Sequence, residues 1–246
     1  MVWRHPKTKR CSRESWLMLT DPLTTGLDAN GFTLAQLTGP LALSLVAITA
    51  LVWSDHREYR PGRYLFKPLA AMAFIWLALN LGASTSSYGT WLLAGLACCL
   101  LGDLLLMPDD ERCFLAGLVA FLCGHLLYAV AFLQLPAKLL GLGLVALPAL
   151  VLVLLAYRWL MPHVGSTMKL PVALYILVIT GMLLCSALTM GQPPAILIMA
   201  GAWGFAISDL AVAQRQFISN KGHPGLWGTP LYFISQMLLA GSIALV

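Results

Sequence analysis

Two aspartates stand inside long apolar stretches of the sequence, where a carboxyl group is unusual. Asp103 lies in "LLGDLLL" (100–106) and Asp209 lies in "GFAISDLAV" (204–212). If these stretches cross a membrane, each acid costs about 2.5–3.5 kcal/mol on insertion scales and usually marks a functional site or a tight partner. One carboxyl group can donate a proton while an ionised one orients water or stabilises a cation. The pair is therefore a candidate for acid–base catalysis, with a structural ion pair as the alternative.

The composition indicates that these stretches do cross a membrane. The chain has 246 residues, of which 59% are hydrophobic and only 10% are charged, whereas soluble domains carry about 25% charged residues. The apolar runs are unbroken and about 20 residues long, as helices that span a bilayer require. They lack the ten-residue alternation of membrane β-strands. We therefore predict an all-α integral membrane protein.

Eight apolar spans follow a polar and basic N-terminal tail at residues 1–31. The tail contains no seven-residue apolar core and no small-residue cleavage site, so it does not resemble a signal peptide. Residues 32–246 are predicted to form one eight-helix transmembrane domain. The predicted spans are 33–53, 66–82, 89–107, 114–134, 138–158, 169–190, 194–214 and 229–246. Because the connections are short, we expect neighbouring spans to pack as antiparallel hairpins.

Loop charge predicts the orientation. Nearly all loop Lys and Arg residues follow spans one, three, five and seven, whereas the opposite loops contain only Lys138. Since basic residues close to spans favour the cytoplasmic side, these four loops are predicted to be cytoplasmic and both termini outside. The basic tail argues for the reverse, but its charges lie about 20 residues or more from the first span, where the rule weakens.

A possible internal repeat relates the two acids. The segments "AGLACCLLGDL" (94–104) and "AGAWGFAISDL" (200–210) share Ala, Gly, Asp and Leu at an offset of 106 residues. Four spans separate them, so the halves would form a parallel four-plus-four repeat. Chance matching of small residues is the alternative. Both segments also carry small residues at four-residue spacing, which predicts close helix contacts and acids that face the bundle.

Other polar side chains lie within spans near the aspartates. The candidates for a supporting or substrate-binding role are Lys67, His125, Tyr128, Tyr175, Tyr232 and Gln236. Most of them enter from the same face of the membrane as the acids, and His125 lies deeper. An interfacial anchor is the alternative for Lys67, a satisfied core residue for His125, and an ordinary interfacial aromatic for the tyrosines. The acids at 109–111 are predicted to be a solvated loop.

Several kinds of chemistry find no support in the sequence. It contains no G-x-S-x-G, no H-E-x-x-H and no P-loop. The six cysteines form no C-x-x-C pair and are predicted to be small packing residues. Nothing resembles a nucleic-acid motif, and we predict neither a metal nor an organic cofactor. The expected partners are bilayer lipids and a lipid substrate, and the sequence predicts no oligomeric state.

Taken in order, the polar motifs are similar to those of the YhhN-like lysoplasmalogenase family of multi-span membrane proteins. The resemblance rests on "FKPL" (66–69), "LLGDLLL" (100–106), "FLAGLVAFLCGHLLYAVAF" (114–132), "KLPVALY" (169–175), "ISD" (207–209) and "YFISQ" (232–236). It implies hydrolysis of the vinyl-ether bond of lysoplasmalogens to a fatty aldehyde and a glycerophospho-head group. It also implies that Asp103 and Asp209 are catalytic and that the six polar residues named above support them.

The implied reaction suits two carboxyl groups. A vinyl ether hydrolyses by protonation at carbon, which forms an oxocarbenium ion that water then attacks, and glycosidases meet a similar demand with paired carboxylates. The alternatives are a lipid transporter or flippase, or a non-catalytic lipid sensor. A transporter predicts acids near the membrane midplane and helices broken by Gly or Pro, whereas here the acids lie towards one face.

Overall fold

The computed structural model describes residues 34–219 and 224–246, and the predicted tail lies outside these residues. Within them the protein forms eight long helices and no strand, which confirms the predicted all-α class. The helices are α1 Leu34–His56, α2 Arg60–Asn80, α3 Ser87–Leu105, α4 Glu111–Phe132, α5 Leu140–Leu160, α6 Lys169–Leu188, α7 Ala195–Ala213 and α8 Pro224–Gly241. Each is long and apolar enough to cross a membrane.

Several helices begin earlier than the apolar pattern predicted. Helix α2 begins at Arg60 instead of 66, and α8 begins at Pro224 instead of 229. Both have a proline in the first turn, where the missing N–H removes no helical hydrogen bond. Helix α4 begins at Glu111, and the Asp110 side chain caps it by accepting from the Cys113 amide at 3.0 Å. The predicted solvated loop therefore contains a helix cap.

The helices pack mainly as sequential hairpins. Helices α1 and α2, α3 and α4, and α7 and α8 make the most extensive contacts, while α5 and α6 pack less closely. Between the halves, α4 packs against α6 and α2 packs against α8. In a parallel four-plus-four repeat, α4 corresponds to α8 and α2 corresponds to α6. The α4–α6 contact and the α2–α8 contact are therefore equivalent, as such a repeat requires.

Small residues let the helices that carry the acids approach their partners closely. A Cβ atom on Gly124 of α4 would lie 2.8 Å from Sγ of Cys99 in α3, and one on Gly204 of α7 would meet the Ser235 hydroxyl of α8. In α3 the stripe that is fully buried is Gly95, Cys99 and Asp103. Close backbone approach of this kind is a common means of helix association in membranes.

The most buried helices are α7 and α8. Half of the residues in the membrane-spanning windows of α7 and α8 are buried, compared with 44% in α3 and 17% in α5. Helices α3 and α7 are therefore central, as predicted from their small residues. The equal burial of α8 was not predicted, and α5 lies at the periphery with most of its leucines exposed.

Candidate active site

Asp103 is held near the end of α3 by side chains from two other helices. The residue is only 2% exposed. Nζ of Lys67 in α2 lies 3.3 Å from its Oδ1, and the hydroxyl of Tyr232 in α8 donates to its Oδ2 at 2.7 Å. Lys67 lies seven residues inside α2, or about 10 Å along the axis, and not at the helix start where the sequence placed it. It is thus the charge partner of Asp103.

Asp209 is held in a corresponding way in α7. The hydroxyl of Tyr175 in α6 donates to its Oδ2 at 3.0 Å, and Nε2 of His125 in α4 lies 3.3 Å from the same oxygen. The His125–Asp209 contact has ion-pair distance but not hydrogen-bond alignment. The Asp209 side chain is 14% exposed, and the His125 side chain is fully buried.

The backbone fixes which nitrogen of this histidine faces Asp209. Nδ1 of His125 lies 2.8 Å from the carbonyl oxygen of Phe121, and since a carbonyl only accepts, Nδ1 carries a hydrogen. Nε2, the other ring nitrogen, therefore faces Asp209 and is the ring atom available for exchange with its carboxyl group.

Phe205 fixes the orientation of this histidine. Its ring stacks on the His125 ring with 4.2 Å between centroids and 23° between planes. It lies one turn before Asp209 on α7 and is fully buried. The sequence analysis did not single it out, although the 106-residue offset aligns it with Cys99, one turn before Asp103.

The two aspartate environments share one architectural pattern. Each acid is contacted from the helix that precedes it in its own half, α2 for Asp103 and α6 for Asp209. Each is also contacted from the last helix of the other half, α8 for Asp103 and α4 for Asp209. The four contacting side chains differ chemically, so the two acids have different electrostatic surroundings.

Both aspartates line a single cavity of about 700 Å³. Five of the eight predicted site residues form part of its wall: Lys67, Asp103, Tyr175, Asp209 and Tyr232. His125 lies behind Asp209 and does not line the cavity.

The remaining two predicted residues form a separate buried pair. The Tyr128 hydroxyl donates to Oε1 of Gln236 at 2.5 Å, and both side chains are fully buried. Neither lines the cavity. They connect α4 to α8 behind the acids, so their geometry is that of support and not of direct substrate contact.

The cavity is apolar on one side and charged at its mouth. Apolar side chains of α5 and α6, among them Leu152, Ala156 and Ile179, line one wall. Residues 107–110, between α3 and α4, line the mouth together with Asp55, Arg63 and Arg215. In the sequence, both arginines contributed only to the predicted membrane orientation. Asp55 was not singled out, although it is the only acid in α1.

No metal centre is evident in the part of the chain that the structure describes. Among residues 34–219 and 224–246, no group of three or more His, Cys, Asp or Glu side chains is placed to hold a metal ion. The five cysteines in these ranges are free thiols. The ionisable groups that line the cavity are carboxyl, phenol, ammonium and guanidinium, and the His125 imidazole lies behind Asp209.

Comparison with known proteins supports the resemblance seen in the motifs. The model of the YhhN family matches residues 62–243, a range that contains both acids and all six supporting candidates. The chain is 33% identical to lysoplasmalogenase TMEM86B of Rattus norvegicus over 70% of its own length and 67% of the relative. It is 32% identical to a lysoplasmalogenase of Mycobacterium bovis over 80% of its length and 77% of the relative. No solved structure matches the chain. Since the family model covers well over half of the chain, this protein belongs to the YhhN family.

Proposed function

We propose that this protein is a lysoplasmalogenase, which hydrolyses the vinyl-ether bond of a lysoplasmalogen to a fatty aldehyde and a glycerophospho-head group. The observation that carries the proposal is the pair Asp103 and Asp209, which line one cavity with different partners. The names of the rat and mycobacterial relatives support the same activity.

The cavity suits a lipid with one chain. Its volume of about 700 Å³ falls within the range of about 300–1,000 Å³ for small-molecule sites. The apolar wall between α5 and α6 accommodates the hydrocarbon chain, and the charged mouth accommodates the head group. The vinyl-ether bond then lies between them, at the level of the acids.

The different surroundings of the two acids support different roles for them. Asp209 and His125 form the donor pair, because Nε2 of His125 lies 3.3 Å from Oδ2 of Asp209 and no Lys or Arg side chain pairs with this carboxyl group in the described residues. Asp103 is the ionised partner, because the Lys67 ammonium lies 3.3 Å away. Tyr232 and Tyr175 orient one carboxyl group each through their hydroxyl groups.

The reaction proceeds by addition and loss of protons only. The Asp209–His125 pair protonates the vinyl carbon that is remote from the ether oxygen, which leaves an oxocarbenium ion beside the Asp103 carboxylate. Asp103 accepts a proton from the attacking water, and a hemiacetal forms. The deprotonated Asp209–His125 pair then accepts the proton of the hemiacetal hydroxyl, while Asp103 gives its proton to the leaving glycerol oxygen, which restores both groups. The sum is the addition of one water and release of aldehyde and alcohol.

The fold favours hydrolysis over transport. Asp103 lies two residues before the end of α3, and both α3 and α7 continue without a break through their aspartates. A transporter site of the common kind lies at the midplane on interrupted helices. We further propose that the loops after α1, α3, α5 and α7 are cytoplasmic, which places the cavity mouth on the cytoplasmic side.

The direct test uses purified protein and a pair of lysolipids. A 1-alkenyl lysophospholipid should release free aldehyde, whereas the 1-alkyl ether of the same head group should not, because it has no double bond to protonate. Absence of aldehyde from folded protein, or equal cleavage of the two lipids, would contradict the proposed function.

A further inference from the structure

A second charged cluster occupies the mouth of the cavity, apart from the acid pair. Asp55 comes from the end of α1, Arg63 from α2, and Arg215 from the turn that follows α7. Nε of Arg63 lies 3.7 Å from Oδ1 of Asp55, and their side chains are 25% and 17% exposed. Asp55 also lies within electrostatic reach of Arg215. Three separate elements thus place opposite charges side by side.

This cluster has an unsatisfied donor. Nε of Arg63 is buried and makes no hydrogen bond, because its distance from Asp55 exceeds hydrogen-bond length. A buried N–H without an acceptor is costly, and native structures rarely leave one without a reason. Arg63 lines the cavity and its side chain is 25% exposed, so the outer nitrogens of the guanidinium group are the donors that an oxygen atom of a bound molecule can reach.

We propose that Arg63 and Arg215 bind the phosphate of the lysolipid and that Asp55 binds the ammonium group beside it. The inference rests on the proposed function and names the substrate class, an ethanolamine-type head group. Guanidinium groups match phosphate oxygens in geometry and charge. A primary ammonium donates hydrogen bonds to a carboxylate, whereas the trimethylammonium of choline has no N–H to donate. The carboxylate therefore favours ethanolamine over choline.

The position of the cluster fits the rest of the substrate. Oδ2 of Asp55 lies 3.6 Å from where a Cβ atom on Gly225 would be, so Asp55 is level with the start of α8. Tyr232, the partner of Asp103, lies seven residues further along α8, or about 10 Å deeper. The glycerol phosphate of a lysolipid can bridge this separation, which places the ether bond at the acids while the head group stays at the mouth.

Binding of lipids that cannot be hydrolysed tests this inference separately from catalysis. We would measure dissociation constants of the detergent-purified protein for three 1-alkyl ethers that differ only in the head group: glycerophosphoethanolamine, glycerophosphocholine and plain glycerol. The wild type should bind them in that order of decreasing affinity.

The variants separate the two parts of the site. Arg63→Gln and Arg215→Gln should each weaken binding of both phosphate-bearing ethers by roughly 10-fold, the scale of one charge-assisted hydrogen bond, and leave the alkylglycerol unchanged. Asp55→Asn should reduce the preference for ethanolamine over choline. The matched controls Arg57→Gln and Glu58→Gln remove exposed charges that do not line the cavity and should change nothing.

Each outcome decides the inference. Equal affinity of the wild type for all three ethers would overturn it, as would an equal loss for alkylglycerol in folded Arg63→Gln or Arg215→Gln protein. Arg215→Gln leaves the Arg63–Asp55 pair intact, so it decides the question if Arg63→Gln fails to fold. Head-group preference without aldehyde release from an alkenyl lipid would refute the proposed function and leave the binding site standing.

Discussion

Replacement of Asp209 by asparagine tests the proposed proton donor most directly. Asparagine keeps the size and shape of the side chain, and its amide oxygen can still accept the Tyr175 hydroxyl at the position now 3.0 Å away. The amide cannot act as an acid, however, so the proposed donor pair with His125 is lost. The reaction should therefore lose its acid while the helix packing stays the same.

The expected effect is large for catalysis and small for stability. Acid–base groups contribute about 10²- to 10⁴-fold to rate, so kcat should fall by roughly 10²-fold or more. No Lys or Arg nitrogen lies within 4.0 Å of Asp209 in the described part of the chain, so no cation is left unpaired. The loss of stability should be about 1 kcal/mol, the worth of one ordinary hydrogen bond.

Aldehyde release from a saturating alkenyl lysolipid measures kcat, and the thermal midpoint in detergent shows that the variant is folded. Glu58→Gln is the matched control, since Glu58 is exposed and lies outside the cavity. Asp110 is unsuitable because it caps α4. A kcat for Asp209→Asn within about 3-fold of wild type, in folded protein, would refute the assignment of Asp209 as the acid.

Three further predictions follow from other contacts. Asp103→Asn should also lower kcat by roughly 10²-fold. Unlike Asp209→Asn, it leaves Lys67 without its carboxylate partner, so the thermal midpoint should fall as well. The double variant Asp103→Asn with Lys67→Met should recover part of the lost thermal midpoint but not the activity. Gly141→Ala should destabilise the α5–α6 hairpin by about 1–3 kcal/mol, because the new Cβ atom would meet the backbone oxygen of residue 187. Gly143 has open space around it, so Gly143→Ala should leave the thermal midpoint unchanged or higher. A cysteine in place of Arg57 should react with an impermeant thiol reagent only after the cells are permeabilised. A cysteine in the loop between α4 and α5 should react in intact cells. The reverse pattern of labelling would invert the proposed topology.

The amino-acid sequence alone was sufficient for the fold class, and it singled out the two aspartates that line the cavity. Eight apolar runs of about 20 residues can satisfy their backbone hydrogen bonds in a bilayer only as helices. The insertion cost of an isolated carboxyl group identified Asp103 and Asp209 without any knowledge of their partners. The ordered polar motifs were likewise sufficient for the family, because both the acids and the supporting residues fall within the matched range.

Helix ends were less predictable, and this misplaced a charged residue. Apolar character begins at 66, but α2 already begins at Arg60, because a helix end depends on local capping and on proline as much as on hydrophobicity. Lys67 was therefore placed at the start of a span, where an interfacial anchor was the alternative to a supporting role, whereas it lies inside the helix and pairs with Asp103.

Only the tertiary structure decided which groups meet. The contacts that distinguish the two acids join positions between 34 and 129 residues apart in the chain, and no local pattern encodes such a distance. The same holds for Phe205, which stacks on His125. Asp55 and Arg63 looked like parts of a charged loop, yet both line the cavity, because the helices extend past the apolar core and bring their terminal charges together above it.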